Sequence, residues 1–195
     1  MSLTRAIRVR RFGGPEVLTL EELPDPVPGP GEVVVRLHAA GVNPVDGVIC
    51  RGEFVIRPHL PFTPGNDGAG VIMAVGEGVR RFAPGDRVYV DGRRTYAELG
   101  CFVQEEVRPL PDRLSFEQGA AISVAYVTGA RALFGAGRAK PGQALLVRGA
   151  SGGVGIATVQ LAVAFGLHVD GTAGSVAGRQ LVVAQGAEHA WPHDK

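Results

Sequence analysis

The stretch Leu145-Leu146-Val147-Arg148-Gly149-Ala150-Ser151-Gly152-Gly153-Val154-Gly155 decides the fold class. An apolar run gives way to a glycine-rich turn and then to a helix-forming segment. A dinucleotide pyrophosphate requires this order, because bare backbone N–H groups at a helix N-terminus form an anion site that no side chain obstructs. The strict pattern is G-x-G-x-x-G. Ala150 stands at its first position, so the chain carries A-x-G-x-x-G. A glycine pattern alone is weak evidence, and the strand–turn–helix context gives it meaning.

Downstream of the turn, alternating apolar and breaker segments predict a strand at 144–148, a helix at 153–165, a strand at 167–172, a helix at 176–185 and a third strand near 189–191. The β-α-β-α-β order implies a parallel sheet with right-handed crossovers. Upstream, Ser115-Phe116-Glu117-Gln118 has N-cap spacing and opens an Ala-rich helical stretch through about Phe134. Before Pro111 the chain is β-rich. Val33–Ala39, Gly70–Gly76 and Arg87–Val90 read as strands, Pro84-Gly85-Asp86 as a turn, and Pro24 to Gly31 as an irregular connection. Many short strands between turn signals predict a small barrel. The expected fold is therefore mixed, with a β-barrel domain over 1–115. A connecting helix and an α/β region containing a partial Rossmann-type parallel sheet follow over 116–195.

Composition narrows the function. A formal net charge of +1 over 195 residues argues against a general nucleic-acid or membrane-surface binder. The basic start MSLTRAIRVRRF lacks an apolar segment behind it, so no secretory signal is expected. The apolar run Val154 to Val169 is interrupted by Gln160, Gly166 and His168 and is short for a membrane span. Two cysteines, Cys50 and Cys101, suit a reducing cytoplasm and provide no disulfide framework.

Five motifs, the glycine turn among them, keep a common order along the chain: Phe12-Gly13-Gly14-Pro15-Glu16-Val17-Leu18, Gly41-Val42-Asn43-Pro44, Pro64-Gly65-Asn66-Asp67-Gly68-Ala69-Gly70, Gly85-Asp86-Arg87-Val88, and Gly149 through Gly155. In these the chain resembles the zinc-free quinone oxidoreductases, the zeta-crystallin branch of the medium-chain dehydrogenase/reductase superfamily. The resemblance implies a GroES-like barrel domain followed by a nucleotide-binding domain. It implies hydride transfer from NADPH to a small-molecule quinone or α,β-unsaturated carbonyl. A doubly wound dinucleotide domain has two halves and about six strands, and this sequence ends after roughly the first. The alternative expectation is therefore a catalytically inactive truncated fragment, or a nucleotide-binding module. An unfinished sheet exposes a pairing edge, so a homo-oligomer is also expected.

Zinc-using alcohol dehydrogenases of the superfamily place a Cys where this chain has Asn43 and a His where it has Asn66. Neither Asn is a good zinc ligand. His38, His59, His168, His189 and His193 lack ligand spacing, so no metal is expected. Without a Lewis acid, reduction of an already electrophilic quinone is favoured over alcohol oxidation.

The resemblance assigns Asn43 to the nicotinamide or the substrate carbonyl, against the reading of Asn-Pro as a turn. It assigns Thr128 to the nicotinamide, against a helical Thr bonded to its own backbone. Relatives often carry a Tyr where this chain has Val48, so no side-chain proton donor is named, and water suffices for a quinone. Asp46 reads as an exposed loop carboxylate. Ser151, Gly152, Gly153 and Val154 would offer N–H groups to the pyrophosphate, with Gly155 allowing close helix–strand packing. NAD-binding folds place an acid about 20 residues on, at the end of the second strand. Here that position is Ala173, and Asp170 lies on the opposite side of the strand by its period of two. Ser175 and Arg179 follow where a 2′-phosphate would sit, although Arg179 also reads as a solvated helix residue. His193 falls where relatives place Tyr or His beside the adenosine. The cofactor expected is NADPH.

Overall fold

The computed structural model describes residues 2–193. The chain divides into two compact units, Met1–Ser123 and Val124–Lys195.

The first unit is built from antiparallel strands. β1 (Leu3–Val9) pairs with β2 (Leu18–Pro24). A five-stranded sheet has the order β6-β3-β4-β5-β7, with β3 at Glu32–Gly41, β4 at Asp67–Val75, β5 at Arg87–Asp91, β6 at Leu99–Val103 and β7 at Val107–Pro109. Bridges Ala6 to Ala97 and Val9 to Phe62 tie the hairpin to the rest. Strict alternation would bury every second residue of β3, yet Val33, Val34 and Val35 are all buried. The register with β4 shifts between Val34 and Val35, and such a bulge re-aims the following side chains. Val33 and Val35 pack with Ile72, Val88, Val90 and Phe102 in the core. A short helix, α1 (Pro44–Cys50), interrupts the strands.

The Ala-rich segment is helical but not continuous. α2 (Phe116–Ala120) starts from Ser115, whose Oγ accepts the Gln118 N–H while Gln118 Oε1 accepts the Ser115 N–H. α3 (Ser123–Ala130) follows and runs into a π-helical turn, Arg131–Ala136.

In the second unit, β8 (Ala144–Val147), β9 (His168–Thr172) and β10 (His189–Trp191) form a parallel sheet ordered β10-β9-β8. α4 (Gly153–Ala164) and α5 (Val176–Ala184) are the crossovers. Val147, Val159, Ala162, Val169, Ala173 and Val182 form the core where the helices cover one sheet face. The fold class expected from the sequence is the one observed. Among the described residues no helix is long and apolar enough to cross a membrane.

Candidate functional site

Two polar constructions stand out, one in each unit. The second unit builds its own from backbone. β8 ends at Val147, Gly149 turns the chain with a φ of 66° in the left-handed region that glycine favours, and α4 begins at Gly153. No side chain caps α4. The first N–H groups of a helix have no acceptor inside it, so Gly153, Val154 and Gly155 present donors at the positive end of the helix dipole. Gly152 donates instead to Gly149 O at 3.1 Å. A Cβ built on Gly153 would meet nothing within 4 Å, so the approach to these donors is open. Gly155 differs: its Cβ would lie 2.4 Å from Gly149 O, so this position sets how closely helix and strand pack.

Other named residues gather at the same carboxyl ends of the strands. Ser175 caps α5, its Oγ accepting the Gly178 N–H at 3.0 Å. A side chain on Gly178 would meet both Ser151 Oγ and Ser175 Oγ at 3.1 Å, so the two hydroxyls converge there. Arg179 Nη1 donates to Ala173 O at 3.4 Å. His193 Nδ1 lies 2.9 Å from Thr172 Oγ1, which accepts the Gly149 N–H at 3.2 Å. Ser151, Ser175, Arg179 and His193 thus surround the glycine turn. The open, uncapped glycine turn fits a dinucleotide's phosphates.

Asp170 has a structural role within its strand. It faces the neighbouring strand, where His189 Nδ1 lies 3.1 Å from its Oδ1 and Trp191 Nε1 donates to its Oδ2 at 3.4 Å. The His189 contact, followed by the Trp191 bond, holds its carboxyl below the usual range. Ala173 is fully buried, its N–H donating to Trp191 O at 2.9 Å. Thr128 is exposed on α3.

The first unit builds its construction from side chains. Asn43 precedes α1, and its Nδ2 donates to Asp67 Oδ2 at 2.8 Å. Asp46 is not the exposed loop carboxylate that its sequence neighbourhood predicts. It sits in the first turn of α1, 4% exposed, because three donors require its oxygens: the Asn43 N–H at 2.8 Å, Asn66 Nδ2 at 2.5 Å and the Tyr96 hydroxyl at 2.9 Å. Burial raises the Tyr96 phenol above its ordinary range, and the bond to Asp46 adds to the effect because it requires the proton. The two asparagines at the zinc-ligand positions are thus each engaged by a carboxylate. Among the described residues no three His, Cys, Asp or Glu side chains group as a metal site. Sequence reasoning missed Tyr96, which lies fifty residues from Asp46 in the chain. Cys101, half-buried against Glu32, has its thiol pushed up to about 11, by burial first and the carboxylate second.

Comparison with known proteins places these features in context. The family described as "Alcohol dehydrogenase GroES-like domain" matches residues 29–130. The chain is 49% identical to the quinone oxidoreductase of Mus musculus over 196 aligned residues, which cover 98% of this chain and 59% of that protein. Among solved structures, the quinone oxidoreductase of Escherichia coli complexed with NADPH superposes with a TM-score of 0.89 at 31% identity, covering 98% of this chain and 59% of that one. An NAD-dependent alcohol dehydrogenase superposes with a TM-score of 0.91 at 36% identity, covering 98% and 64%. The chain thus spans 59% of the length of the mouse and rat quinone oxidoreductases that it matches.

Proposed function

We propose that this chain, which belongs to the alcohol dehydrogenase GroES-like domain family and within it to the quinone oxidoreductases of the medium-chain dehydrogenase/reductase superfamily, binds NADPH for hydride transfer to a small quinone or α,β-unsaturated carbonyl. The observation that carries the reading is the uncapped and sterically open start of α4.

In this reading the N–H groups of Ser151, Gly153 and Val154 hold the pyrophosphate, Gly152 leaves room for it, and Gly155 fixes the turn against its strand. Ser175 and Arg179 take the 2′-phosphate, for which a guanidinium is a suitable bidentate donor. His193 lies beside the adenosine. The bound cofactor supplies the hydride. Asn43 orients the nicotinamide or the substrate carbonyl, its side chain held by Asp67, and Thr128 contacts the nicotinamide. Fixed donors that orient a carbonyl lower the barrier by position alone. Free thiols at Cys50 and Cys101 support a cytoplasmic location.

A fluorescence titration of the chain with NADPH and then NADH tests the reading. NADPH binds more tightly, and Arg179→Gln reduces that preference by about tenfold, as expected for losing one charge-assisted contact. Adding 1,4-naphthoquinone then consumes nicotinamide absorbance. A preference for NADH, or no binding of either, overturns the assignment. Binding without consumption identifies a nucleotide-binding module.

A further inference from the structure

A cavity of about 680 Å³ opens in the first unit and shares Asn66 with the Asp46 network. Its size falls within the range of small-molecule sites, about 300–1,000 Å³. One part of its lining is apolar. Val45 and Ile49, four residues apart on α1 and therefore on one face of it, join Phe54 and Phe62. Phe54 is 39% exposed, and exposed large apolar side chains that rim a concavity are a mark of ligand sites.

The other part is cationic. Arg57, Arg93 and Arg94 line the cavity, and none of the three makes an ion pair among the described residues. Arg57 is held over the Phe12 ring at 4.5 Å. Glu106 is the one acidic residue among the described lining; burial raises its carboxyl above the ordinary range, while Arg94 and Arg93 act on it in the opposite direction.

The backbone at Arg94 gives an independent reason to look here. Its φ is 76°, in the left-handed region that disfavours any residue with a Cβ, and its N–H donates to Gly65 O at 2.9 Å. An arginine held in this region points to a use for its side chain.

We propose that this cavity takes an anionic aromatic carbonyl compound, a planar quinone or enone ring carrying a carboxylate or sulfonate. The ring lies against Val45, Ile49 and Phe54, and the anionic group meets Arg93 and Arg94. A guanidinium fork matches a carboxylate in two bonds. The inference deepens the reading of the chain as an oxidoreductase of such compounds and rests on it for the quinone or enone character of the ring.

Isothermal titration of the 195-residue chain with 2-naphthoate and with its neutral methyl ester tests it. The acid binds about tenfold more tightly than the ester, and added salt weakens the acid alone. Arg94→Gly brings the two within about twofold. Glycine is favoured at this φ, so the variant folds at least as stably and its lost preference reports recognition rather than unfolding. Equal binding of acid and ester, binding of neither, or a preference that survives both Arg94→Gly and Arg93→Gln overturns the proposal. The titration needs neither cofactor nor turnover, so its failure leaves the NADPH assignment standing. A chain that shows the preference but ignores NADPH loses the oxidoreductase reading and keeps the anion site.

Discussion

The first unit carries its polar chemistry in buried side chains, and the second carries it in exposed backbone. Asp46 is sealed into α1 with three donors on its carboxylate. The donors at the start of α4 include those of two glycines, no side chain caps them, and open space lies above Gly153. The two constructions should therefore respond in opposite ways to substitution. Damage at Asp46 reaches folding first and function second, whereas damage at Gly153 reaches ligand binding with the fold intact.

The largest expected effect is at Asp46. Asp46→Ala leaves the Asn43 N–H, the Asn66 amide and the Tyr96 hydroxyl without their acceptor, and should cost about 3–5 kcal/mol in urea denaturation. A loss below about 1 kcal/mol would mean that water replaces the carboxylate freely and that the contrast between the units fails.

The glycine turn then offers a test within itself. Gly155→Ala drives a Cβ against Gly149 O, 2.4 Å away, and should destabilise by about 1–3 kcal/mol. Gly153→Ala meets nothing within 4 Å. It should leave the thermal midpoint equal or higher, alanine being the better helix former by up to about 1 kcal/mol, while weakening NADPH about tenfold or more. Equal affinity in this variant would remove the pyrophosphate from the turn.

The smallest effect is one of pH. The Tyr96 phenol is raised in the folded state, so the fold retains a proton that the unfolded chain releases above about pH 10. Its contribution is complete below that pH and declines as pH rises further. Urea midpoints should therefore fall progressively as pH rises above about 10, and Tyr96→Phe should flatten the slope.

Legibility in the sequence follows the same division. The second unit was read almost element by element, because a parallel sheet with helical crossovers uses local signals: apolar runs, a glycine turn, and Ser175 as a cap. The hairpin of β1 and β2 was less visible, since Leu18 and Leu20 of β2 are exposed and no buried alternation marks that strand. The Ala-rich segment suggested one helix, but the chain breaks between α2 and α3. Gly119 there packs within reach of Ala69 and Leu110, contacts that no local pattern announces. The burial of Asp46 escapes a local reading for the same reason. Two of its three donors come from residues 20 and 50 positions away, and a window around Asn43 and Pro44 contains neither.

One feature of the second unit bears on how the chain would respond to its solvent. The Tyr126 hydroxyl donates to Gln160, and Gln160 in turn donates to Gln185, so a line of side chains crosses α3, α4 and the end of α5. Every member is a hydroxyl or an amide, uncharged at neutral pH. Ionic strength therefore has no purchase on this brace, although it would screen a phosphate placed at the N-terminus of α4. Salt would act as a scalpel here, lifting a charged ligand away while the scaffold that positions the glycine turn stays in register.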